Sequence, residues 1–323
     1  MRAVVCHTIG PPELLEVRDL PALQPGPGEV VVAVRAAGVN FPDALVIQGK
    51  YQRRLDPPFT PGSEVAGTIA RLGPGVTGLA VGQPVYGTRL QGSFATEVIA
   101  RAEHLRAVPP GLTFEQAAVL STTYLTSFYA LETIARLQRG ETALVLGAAG
   151  GVGIAAVEIA KALGARVIAA ASSAEKLELC RAHGADALVD YSGGALRERL
   201  RELAPNGVDV IYDPVGGAYA EPAMRALAWR GRYLVVGFAA GEIPRMPLNL
   251  VLLKGAAVLG VALGECWTRE PGTFRDVEAG LARLVADGRV RAHVSARYPL
   301  ERAAEALRDM LDRKVIGKVV IVP

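Results

Sequence analysis

The sequence predicts an α/β fold that combines a β-rich domain with a doubly wound parallel sheet. Two observations carry this prediction: short β-branched runs bounded by Gly and Pro fill roughly the first 115 residues, and strands alternate with helices from Glu141 onward. The length of 323 residues suggests about two domains, at roughly 100–200 residues each. With 50% hydrophobic and 21% charged residues, the composition is that of a globular rather than a disordered chain.

Short strands are expected throughout the β-rich part. Each is a run of β-branched and apolar residues that ends at a Gly or Pro cluster, such as the turn-rich connector Pro21–Glu29. Many short strands with such turns between them favour a compact, barrel-like domain. The expected strands are Arg2–His7, Glu13–Val17, Glu29–Val34, Glu64–Arg71, Val81–Tyr86 and Phe94–Ala100.

Helical periodicity begins near Thr113, which is predicted to form a capping box with Gln116. From Glu141 onward, buried strand segments alternate with amphipathic helices, and this repeated βα order implies a parallel, doubly wound sheet. The chain then returns to two helices, Thr273–Ala286 and Leu300–Leu311, and a last strand with the sequence GKVVIVP. We expect this tail to rejoin the β-rich domain.

Charge and cysteine content argue against several classes of protein. The net charge is only +3, and the densest basic segment, Arg197–Arg201, is interleaved with acids, so nucleic-acid binding is not expected. Cys6, Cys180 and Cys266 lack metal-ligand spacing and fit a reducing compartment. No stretch is apolar enough to span a membrane, and the N-terminus lacks the apolar core of a signal peptide. We therefore expect a cytoplasmic protein with neither membrane nor nucleic-acid partners.

The sharpest local signal is the segment LVLGAAGGVGIAAVEIA, residues 144–160. Its core, Ala148–Gly153, is a GxGxxG motif with Ala in place of the first glycine, and it follows an apolar strand and opens a helix. Gly150 lets the backbone approach a pyrophosphate, Gly153 permits close helix–strand packing, and the helix N-terminus attracts the anion. A tight turn without a ligand is the competing interpretation, but three glycines in four positions cost backbone entropy that packing rarely requires. The motif predicts a Rossmann dinucleotide site.

The end of the second Rossmann strand distinguishes NADP from NAD. NAD enzymes usually carry Asp or Glu there to bind the ribose 2′-hydroxyl, whereas this chain has AAASSAEK at residues 169–176. Ser172 and Ser173 can donate hydrogen bonds to a 2′-phosphate and Lys176 can add a charge, which predicts NADPH as the cofactor. Ser172 and Glu175 also form a capping-box pattern that needs no ligand, and Lys176 would then be a solvated side chain.

Segments along the whole chain carry a further likeness: AAGVNFPD (36–43), PGSEVAG (61–67), LTSFYAL (125–131), AAGGVG (148–153), YDPVGG (212–217) and the terminal GKVVIVP. With these the chain resembles the zinc-independent medium-chain dehydrogenase/reductases, specifically the NADPH:quinone oxidoreductase (zeta-crystallin-like) family. The resemblance implies a GroES-like catalytic domain made of residues 1–120 and 262–323, and a Rossmann NADP-binding domain at residues 121–261. It also implies a cofactor cleft between these domains and a homodimer.

Zinc alcohol dehydrogenases, which are related to this family, carry Cys and His where this chain has Asn40 and Ser63, and only Glu64 keeps its type. The four-cysteine structural zinc loop is also missing, because no Cys lies between Tyr86 and Ala100. A tight zinc site needs several Cys or His ligands, so we expect no metal. Without a Lewis acid, the simple chemistry left is hydride donation to an acceptor that is already electrophilic.

The family pattern also implies roles for individual residues. Asn40 and Tyr51 are the expected catalytic residues, the first as a hydrogen-bonding group for cofactor or acceptor and the second as a stacking group or O–H donor. Thr126 is expected to hold the nicotinamide carboxamide. The full set of expected cofactor contacts is Phe41, Asp43, Thr126, Gly150, Gly151, Val152, Gly153, Ser172, Ser173, Lys176, Tyr191, Gly237, Phe238, Arg313 and Lys318.

Several of these residues have structural alternatives. Asn40 could only shape a turn, and Thr126 could bond back to a helix carbonyl. Tyr51 could be a surface aromatic, and Tyr191 could be a core residue. Arg313 and Lys318 could both lie on the surface.

The expected function is NADPH-dependent reduction of a quinone or an α,β-unsaturated carbonyl. An enoyl-thioester (acryloyl-CoA-like) reductase is the first alternative, since it uses the same hydride transfer with protonation at the next carbon. A non-catalytic, NADPH-binding regulatory or RNA-binding protein is the second alternative, although the weak net charge argues against RNA. The strand Val258–Leu263 is a candidate sheet edge for the homodimer.

Overall fold

The computed structural model describes residues 1–52, 54–88 and 92–323. Its strands are β1 (Arg2–Cys6), β2 (Leu15–Asp19), β3 (Glu29–Gly38), β4 (Glu64–Leu72), β5 (Pro84–Thr88), β6 (Glu97–Arg101), β7 (Leu105–Ala107), β8 (Thr142–Leu146), β9 (Arg166–Ala171), β10 (Ala187–Asp190), β11 (Val208–Asp213), β12 (Leu227–Val235), β13 (Ala257–Gly260), β14 (Ala296–Pro299) and β15 (Val319–Val322). Its α-helices are α1 (Phe41–Ile47), α2 (Phe114–Ala117), α3 (Leu125–Phe128), α4 (Gly151–Leu163), α5 (Ala174–Ala182), α6 (Leu196–Leu203), α7 (Ala220–Arg225), α8 (Leu248–Lys254), α9 (Leu263–Arg269), α10 (Pro271–Ala286) and α11 (Ala303–Leu311). The predicted α/β fold class is confirmed.

The chain forms two compact units, one made of Met1–Thr122 with Ala292–Pro323 and the other of Thr123–Arg291. The second boundary therefore lies at residues 291 and 292, whereas the sequence suggested residue 262. The predicted tail helix Thr273–Ala286 is α10, and it belongs to the middle unit rather than to the β-rich one. The reason is its packing on α3: a Cβ at Gly280 would lie 2.5 Å from the Phe128 ring.

The outer unit is built on a sheet in the order β14-β15-β3-β4-β5-β7, with β6 also paired to β3. The long strand β3 pairs antiparallel with β4, β6 and β15, so a strand from the end of the chain closes against one from its beginning. Val320 is opposite Gly38, and the Val39 amide donates to the Val319 carbonyl at 3.1 Å. This pairing brings the residues around position 318 to the end of β3, where Asn40 follows.

Three predicted strands of the outer unit begin later than expected, and one of them, Phe94–Ala100, becomes a continuous strand only at Glu97 in β6. The segment Glu13–Val17 starts inside a 3-10 turn, Pro12–Leu14, and becomes extended only in β2. The segment Val81–Tyr86 becomes a strand at Pro84, because Gly82 has a φ of +85° and turns the chain first. The predicted capping box forms: the Gln116 amide donates to Thr113 Oγ1 at 3.3 Å and the Thr113 amide to Gln116 Oε1 at 3.1 Å.

The middle unit contains a parallel sheet in the order β10-β9-β8-β11-β12-β13. The order reverses between β8 and β11, and ligands of such sheets bind beyond the carboxyl ends of the strands at this switch point. β8 is the buried TALVL segment, and its end leads directly into the glycine-rich loop and α4. The predicted Rossmann sheet is therefore present, with the phosphate motif at its switch point.

Candidate active site

The glycine-rich loop forms the turn between β8 and α4. The turn starts at Gly147, whose φ of +56° favours glycine. Gly150 is the N-cap of α4 and provides no side-chain cap, so the first backbone amides of this 13-residue helix are not satisfied by a capping side chain. A helix N-terminus of this kind carries a partial positive charge and binds anions.

The glycines of this loop are required for two different reasons. A Cβ at Gly153 would lie 2.3 Å from the Gly147 carbonyl oxygen and 2.7 Å from Ala148 Cα, so this position is closed by the protein's own backbone. A Cβ at Gly150 would meet only the Gly147 oxygen, at 3.3 Å, so the space beyond it is open. The loop therefore fits a pyrophosphate at Gly150, while Gly153 serves helix–strand packing.

Ser172, Ser173 and Lys176 lie together just beyond the carboxyl end of β9. Ser173 is the N-cap of α5, and its Oγ accepts from the Lys176 amide at 3.3 Å. The predicted capping box between Ser172 and Glu175 is wrong, because the helix begins one residue later than that pattern requires. Ser172 is exposed instead, and its Oγ accepts from Lys176 Nζ at 3.3 Å. Two hydroxyls and an ammonium are thus gathered where a 2′-phosphate would need them.

The other predicted contacts of the middle unit lie in different settings. Tyr191 is buried and its ring centroid is 4.4 Å from that of Tyr219, which agrees with its alternative as a core residue. Thr126 is partly buried on α3, between two π-helical segments, Leu120–Tyr124 and Tyr129–Ile134. Gly237 and Phe238 follow β12.

The loop after β12 faces the loop after β11. The Gly237 amide bonds to the Asp213 carbonyl at 3.3 Å. A Cβ on Gly216 would lie 3.0 Å from the partly exposed Phe238 ring. Gly237 and Phe238 are thus beside the segment that leaves the fourth strand of the sheet, at the edge where ligands of this fold bind.

The outer unit gathers Asn40, Glu64 and Lys318 in one buried cluster, with the partly buried Ser63 beside it. Asn40 Nδ2 donates to Glu64 Oε2 at 2.9 Å and lies 3.4 Å from Ser63 Oγ. Lys318 Nζ donates to Asn40 Oδ1 and, at 2.9 Å, to the Val39 carbonyl. The Asn40 amide is therefore fixed in one orientation, with its oxygen toward an ammonium and its nitrogen toward a carboxylate. A surface position for Lys318 is wrong, because the residue is only 3% exposed.

Asp43 lies one helical turn beyond Asn40 and is also buried. Its Oδ2 accepts from the Asn40 backbone amide at 2.8 Å. Burial raises the pKa of Asp43 to about 7, although the hydrogen bond from Asn40 and the charge of Lys318 act in the opposite direction. Burial, and then the charge of Asp43, raise the pKa of the partly buried Tyr51, so this phenol keeps its proton at neutral pH.

Phe41 and Arg313 lie closer to the surface than the buried residues of this cluster. Phe41 is the first residue of α1 and is partly exposed. Arg313 is exposed in the turn that follows α11, with a φ of +59°. Its surface alternative agrees with that position.

Sequence reasoning missed a second buried group. Ser127 Oγ is 2.9 Å from both the Val152 carbonyl and the Tyr212 hydroxyl. On the next residue, Asp213 Oδ1 accepts from the amides of Val215 and Gly216 at 2.7 and 2.8 Å. The only sequence signal was their presence in the LTSFYAL and YDPVGG segments.

Two features are absent from the ranges that the structure describes, residues 1–52, 54–88 and 92–323. Within them, no cluster of three or more His, Cys, Asp or Glu side chains could hold a metal ion. No helix in the same ranges has the length and apolar character needed to cross a bilayer.

Comparisons with known proteins agree with this architecture. Two family models match the chain, the alcohol dehydrogenase GroES-like domain over residues 26–110 and the zinc-binding dehydrogenase over residues 151–283. A quinone oxidoreductase-like protein 2 homolog from Nematostella vectensis is 36% identical over 324 residues, which is 99% of this chain and 88% of that protein. Together with the fold, these matches define an oxidoreductase with a GroES-like and a dinucleotide-binding domain. The chain belongs to the medium-chain dehydrogenase/reductase family, as its sequence predicted.

Two solved structures extend the likeness to the whole chain. A mycobacterial protein complexed with NADPH superimposes with a TM-score of 0.92 at 35% identity, covering 100% of both chains. The CurK enoyl reductase superimposes with a TM-score of 0.89 at 27% identity, covering 99% of this chain and 98% of that one.

Proposed function

We propose that this protein is an NADPH-dependent reductase that transfers a hydride to a quinone or an α,β-unsaturated carbonyl without a metal ion. The observation that supports this most is the buried cluster of Asn40, Glu64 and Lys318. Positions that hold zinc ligands in the related alcohol dehydrogenases are occupied here by an amide and Ser63, and the remaining carboxylate is neutralised by an ammonium. Such a set offers hydrogen bonds and charge balance rather than metal ligands.

The cofactor in this proposal is NADPH, which the mycobacterial relative was solved with. The first amides of α4 bind its pyrophosphate, and Gly150 leaves room for it. Ser172, Ser173 and Lys176 bind the 2′-phosphate, whose three terminal oxygens and negative charge, absent from a ribose hydroxyl, favour an ammonium partner. When bound, NADPH supplies the hydride.

The residues of the outer unit orient the acceptor and stabilise the negative charge that develops on it. Hydride arrival leaves negative charge on the acceptor oxygen, and catalysis then depends on donors that are already in place. We assign the Tyr51 hydroxyl to this task, because a phenol is an O–H donor at neutral pH and Tyr51 lies partly buried in the segment that follows α1. Asn40, locked by Glu64 and Lys318, holds the start of α1 in a fixed conformation beside Asp43.

An acceptor panel at fixed NADPH tests this proposal. The purified protein is supplied with simple quinones, enones and an enoyl-CoA, and oxidation of NADPH is followed by its absorbance. We expect quinone- or enone-dependent oxidation well above background, poor activity with NADH, and no loss of rate after treatment with a chelator. Tight NADPH binding without turnover of any acceptor would instead identify the non-catalytic alternative.

Enoyl-thioester reduction is the second candidate, and the likeness to the CurK enoyl reductase favours it. All of these reactions begin with hydride transfer to an electrophilic acceptor, after which a quinone is protonated on oxygen, whereas an enone or an enoyl thioester is protonated on the carbon next to its carbonyl. Turnover of the enoyl-CoA without turnover of quinones in the same panel would select it.

We further propose that the protein works in the cytoplasm as a homodimer joined through β13. This strand is the edge of the parallel sheet and pairs with β12 on one side. Exposed apolar side chains accompany it on the middle unit, namely Val258, Trp229, Leu248, Leu252 and Leu253. An unpaired edge beside exposed apolar groups is a typical pairing surface. Light scattering should give twice the chain mass, and Val258→Lys should shift it toward the monomer.

A further inference from the structure

We propose that Ser127 and Tyr212 are positioning residues for NADPH: their buried hydroxyls fix the first turn of α4, whose amides receive the pyrophosphate. This inference rests on the proposed function, because it takes Thr126 and the α4 amides as cofactor contacts. Neither residue is expected to touch the cofactor. Both act through Val152, which is the second residue of α4.

The two hydroxyls form a short chain of hydrogen bonds in a dry interior. Ser127 and Tyr212 are completely buried, and Ser127 Oγ lies 2.9 Å from the Tyr212 oxygen and 2.9 Å from the Val152 carbonyl oxygen. A carbonyl can only accept, so the single proton of Ser127 must go to Val152. The Tyr212 hydroxyl must then donate to Ser127 Oγ, and the direction of the whole chain is settled.

These hydrogen bonds join α3, the phosphate motif and β11. Ser127 is the neighbour of Thr126 on α3, and Val152 is in the phosphate motif. Tyr212 is near the end of β11, next to Asp213, whose carboxylate holds the turn at Val215 and Gly216.

The turn that follows β11 also contacts the phosphate loop directly. A Cβ on Gly147 would come within 2.7 Å of Val215 Cγ2, so the two loops are in contact. The two hydroxyls thus set the spacing between Thr126, the first turn of α4 and the turn that follows β11.

The two hydroxyls are not equivalent, so removing one should have a different effect from removing the other. Removing the Tyr212 hydroxyl leaves Ser127 still bonded to Val152. Removing the Ser127 hydroxyl frees the Val152 carbonyl and also leaves the Tyr212 proton buried without its acceptor, which costs more than a hydrogen bond alone. Ser127→Ala should therefore weaken NADPH binding more than Tyr212→Phe does. In the double variant, part of the lost affinity for NADPH should return, because the buried Tyr212 O–H that lacked an acceptor has also been removed.

The experiment measures the dissociation constant of NADPH by fluorescence titration, together with KM, kcat and Tm, for both single variants and the double variant. We expect the NADPH dissociation constant and KM to rise about tenfold in Ser127→Ala and about threefold in Tyr212→Phe, with kcat within about twofold. Tyr298→Phe is the matched control, since it removes a phenol bonded to Asp309 at 2.8 Å in the outer unit. It should leave the NADPH dissociation constant unchanged.

The outcomes separate this inference from the proposed function. If the wild-type protein binds no NADPH, the proposed function fails. If it binds NADPH and the variants lose only Tm, with an unchanged dissociation constant well below that temperature, the hydroxyls are merely structural and the inference is overturned. Should Ser127→Ala not fold, Tyr212→Phe decides alone, and a dissociation constant equal to that of Tyr298→Phe refutes the inference.

Discussion

The ammonium of Lys318 lies 3.1 Å from a carboxylate oxygen of Glu64, and the two side chains are 4% and 0% exposed. Glu64 also accepts from the Thr122 amide and from Asn40 Nδ2. The pair is therefore buried, hydrogen-bonded and without access to water. Because a lone charge in such a place is far more costly than the intact pair, the two residues depend on each other.

Loss of one partner of this pair should be strongly destabilising. Lys318→Met removes the cation and leaves the Glu64 carboxylate buried and uncompensated, which should lower the free energy of unfolding by about 3–5 kcal/mol. Adding Glu64→Gln should recover much of that loss. Urea denaturation measures both. Arg302→Met, which breaks an exposed ion pair with Glu305, is the control and should cost about 1 kcal/mol or less. A single Lys318 variant as stable as that control would contradict the argument.

The stability contributed by Asp43 should fall as pH rises. Burial raises its pKa to about 7 in the folded protein, from about 3.9 in the unfolded chain. The protonated form is therefore favoured by folding, so the contribution is fully present below about pH 4 and is lost as pH rises toward 7.

Asp43→Asn isolates this contribution, because the amide oxygen can still accept from the Asn40 backbone. The free energy of unfolding of the wild type, minus that of the variant, should decrease between about pH 4 and pH 7, by at most roughly 1.4 kcal/mol per pH unit. Denaturation at several pH values measures this difference. A constant difference across the range would mean that folding does not raise the pKa of Asp43.

Lys176 should discriminate between the two nicotinamide cofactors. Lys176→Ala removes a charge-assisted bond to the 2′-phosphate and should raise KM for NADPH by about tenfold to thirtyfold, or ~1.5–2 kcal/mol. KM for NADH should stay the same, because NADH has no 2′-phosphate. Lys161→Ala is the matched control, since Lys161 is in the last turn of α4 and binds Asp186. Equal rates of the wild type with NADH and NADPH would refute the role of Ser172 and Lys176.

Gly150 and Gly153 should respond differently to the same substitution. Gly153→Ala places a methyl group against the backbone of Gly147 and Ala148, so it should disturb the packing of α4 and lower Tm. Gly150→Ala fits the free protein, because the residue has an ordinary φ of −80°, and its Tm should change little. Its methyl group would instead stand in the pyrophosphate space and raise the NADPH dissociation constant. Equal losses of Tm in the two variants would mean that Gly150 is also a packing glycine.

The features that could be predicted from the sequence are those encoded within one short segment. The phosphate motif, the Ser172–Lys176 group and the capping box at Thr113 are all local, and the structure contains each of those segments in its predicted element. The cluster around Asn40 depends on Lys318, which is 278 residues away. The bond from Ser127 to Tyr212 spans 85 residues. The first contact follows from the pairing of β3 with β15 and the second from the packing of α3 near β11, and no local pattern records either.

The domain boundary was missed for a related reason. An amphipathic helix such as α10 has the same periodicity whichever core it covers. The helix belongs to the middle unit because Gly280 packs closely against Phe128 of α3. The N-cap of α5 was misassigned to Ser172 because two adjacent serines can both start a helix, and only the backbone decides that Ser173 does so.

The strand that supplies Lys318 also sets an order of events during synthesis. Residues 123–291 form a contiguous unit, whereas the outer unit waits for the residues that follow. While these are still on the ribosome, Glu64 has no cation and the Asn40 amide has no partner for its oxygen. A chain synthesised only as far as residue 291 therefore includes the phosphate loop but lacks the cation that neutralises Glu64 and orients the Asn40 amide.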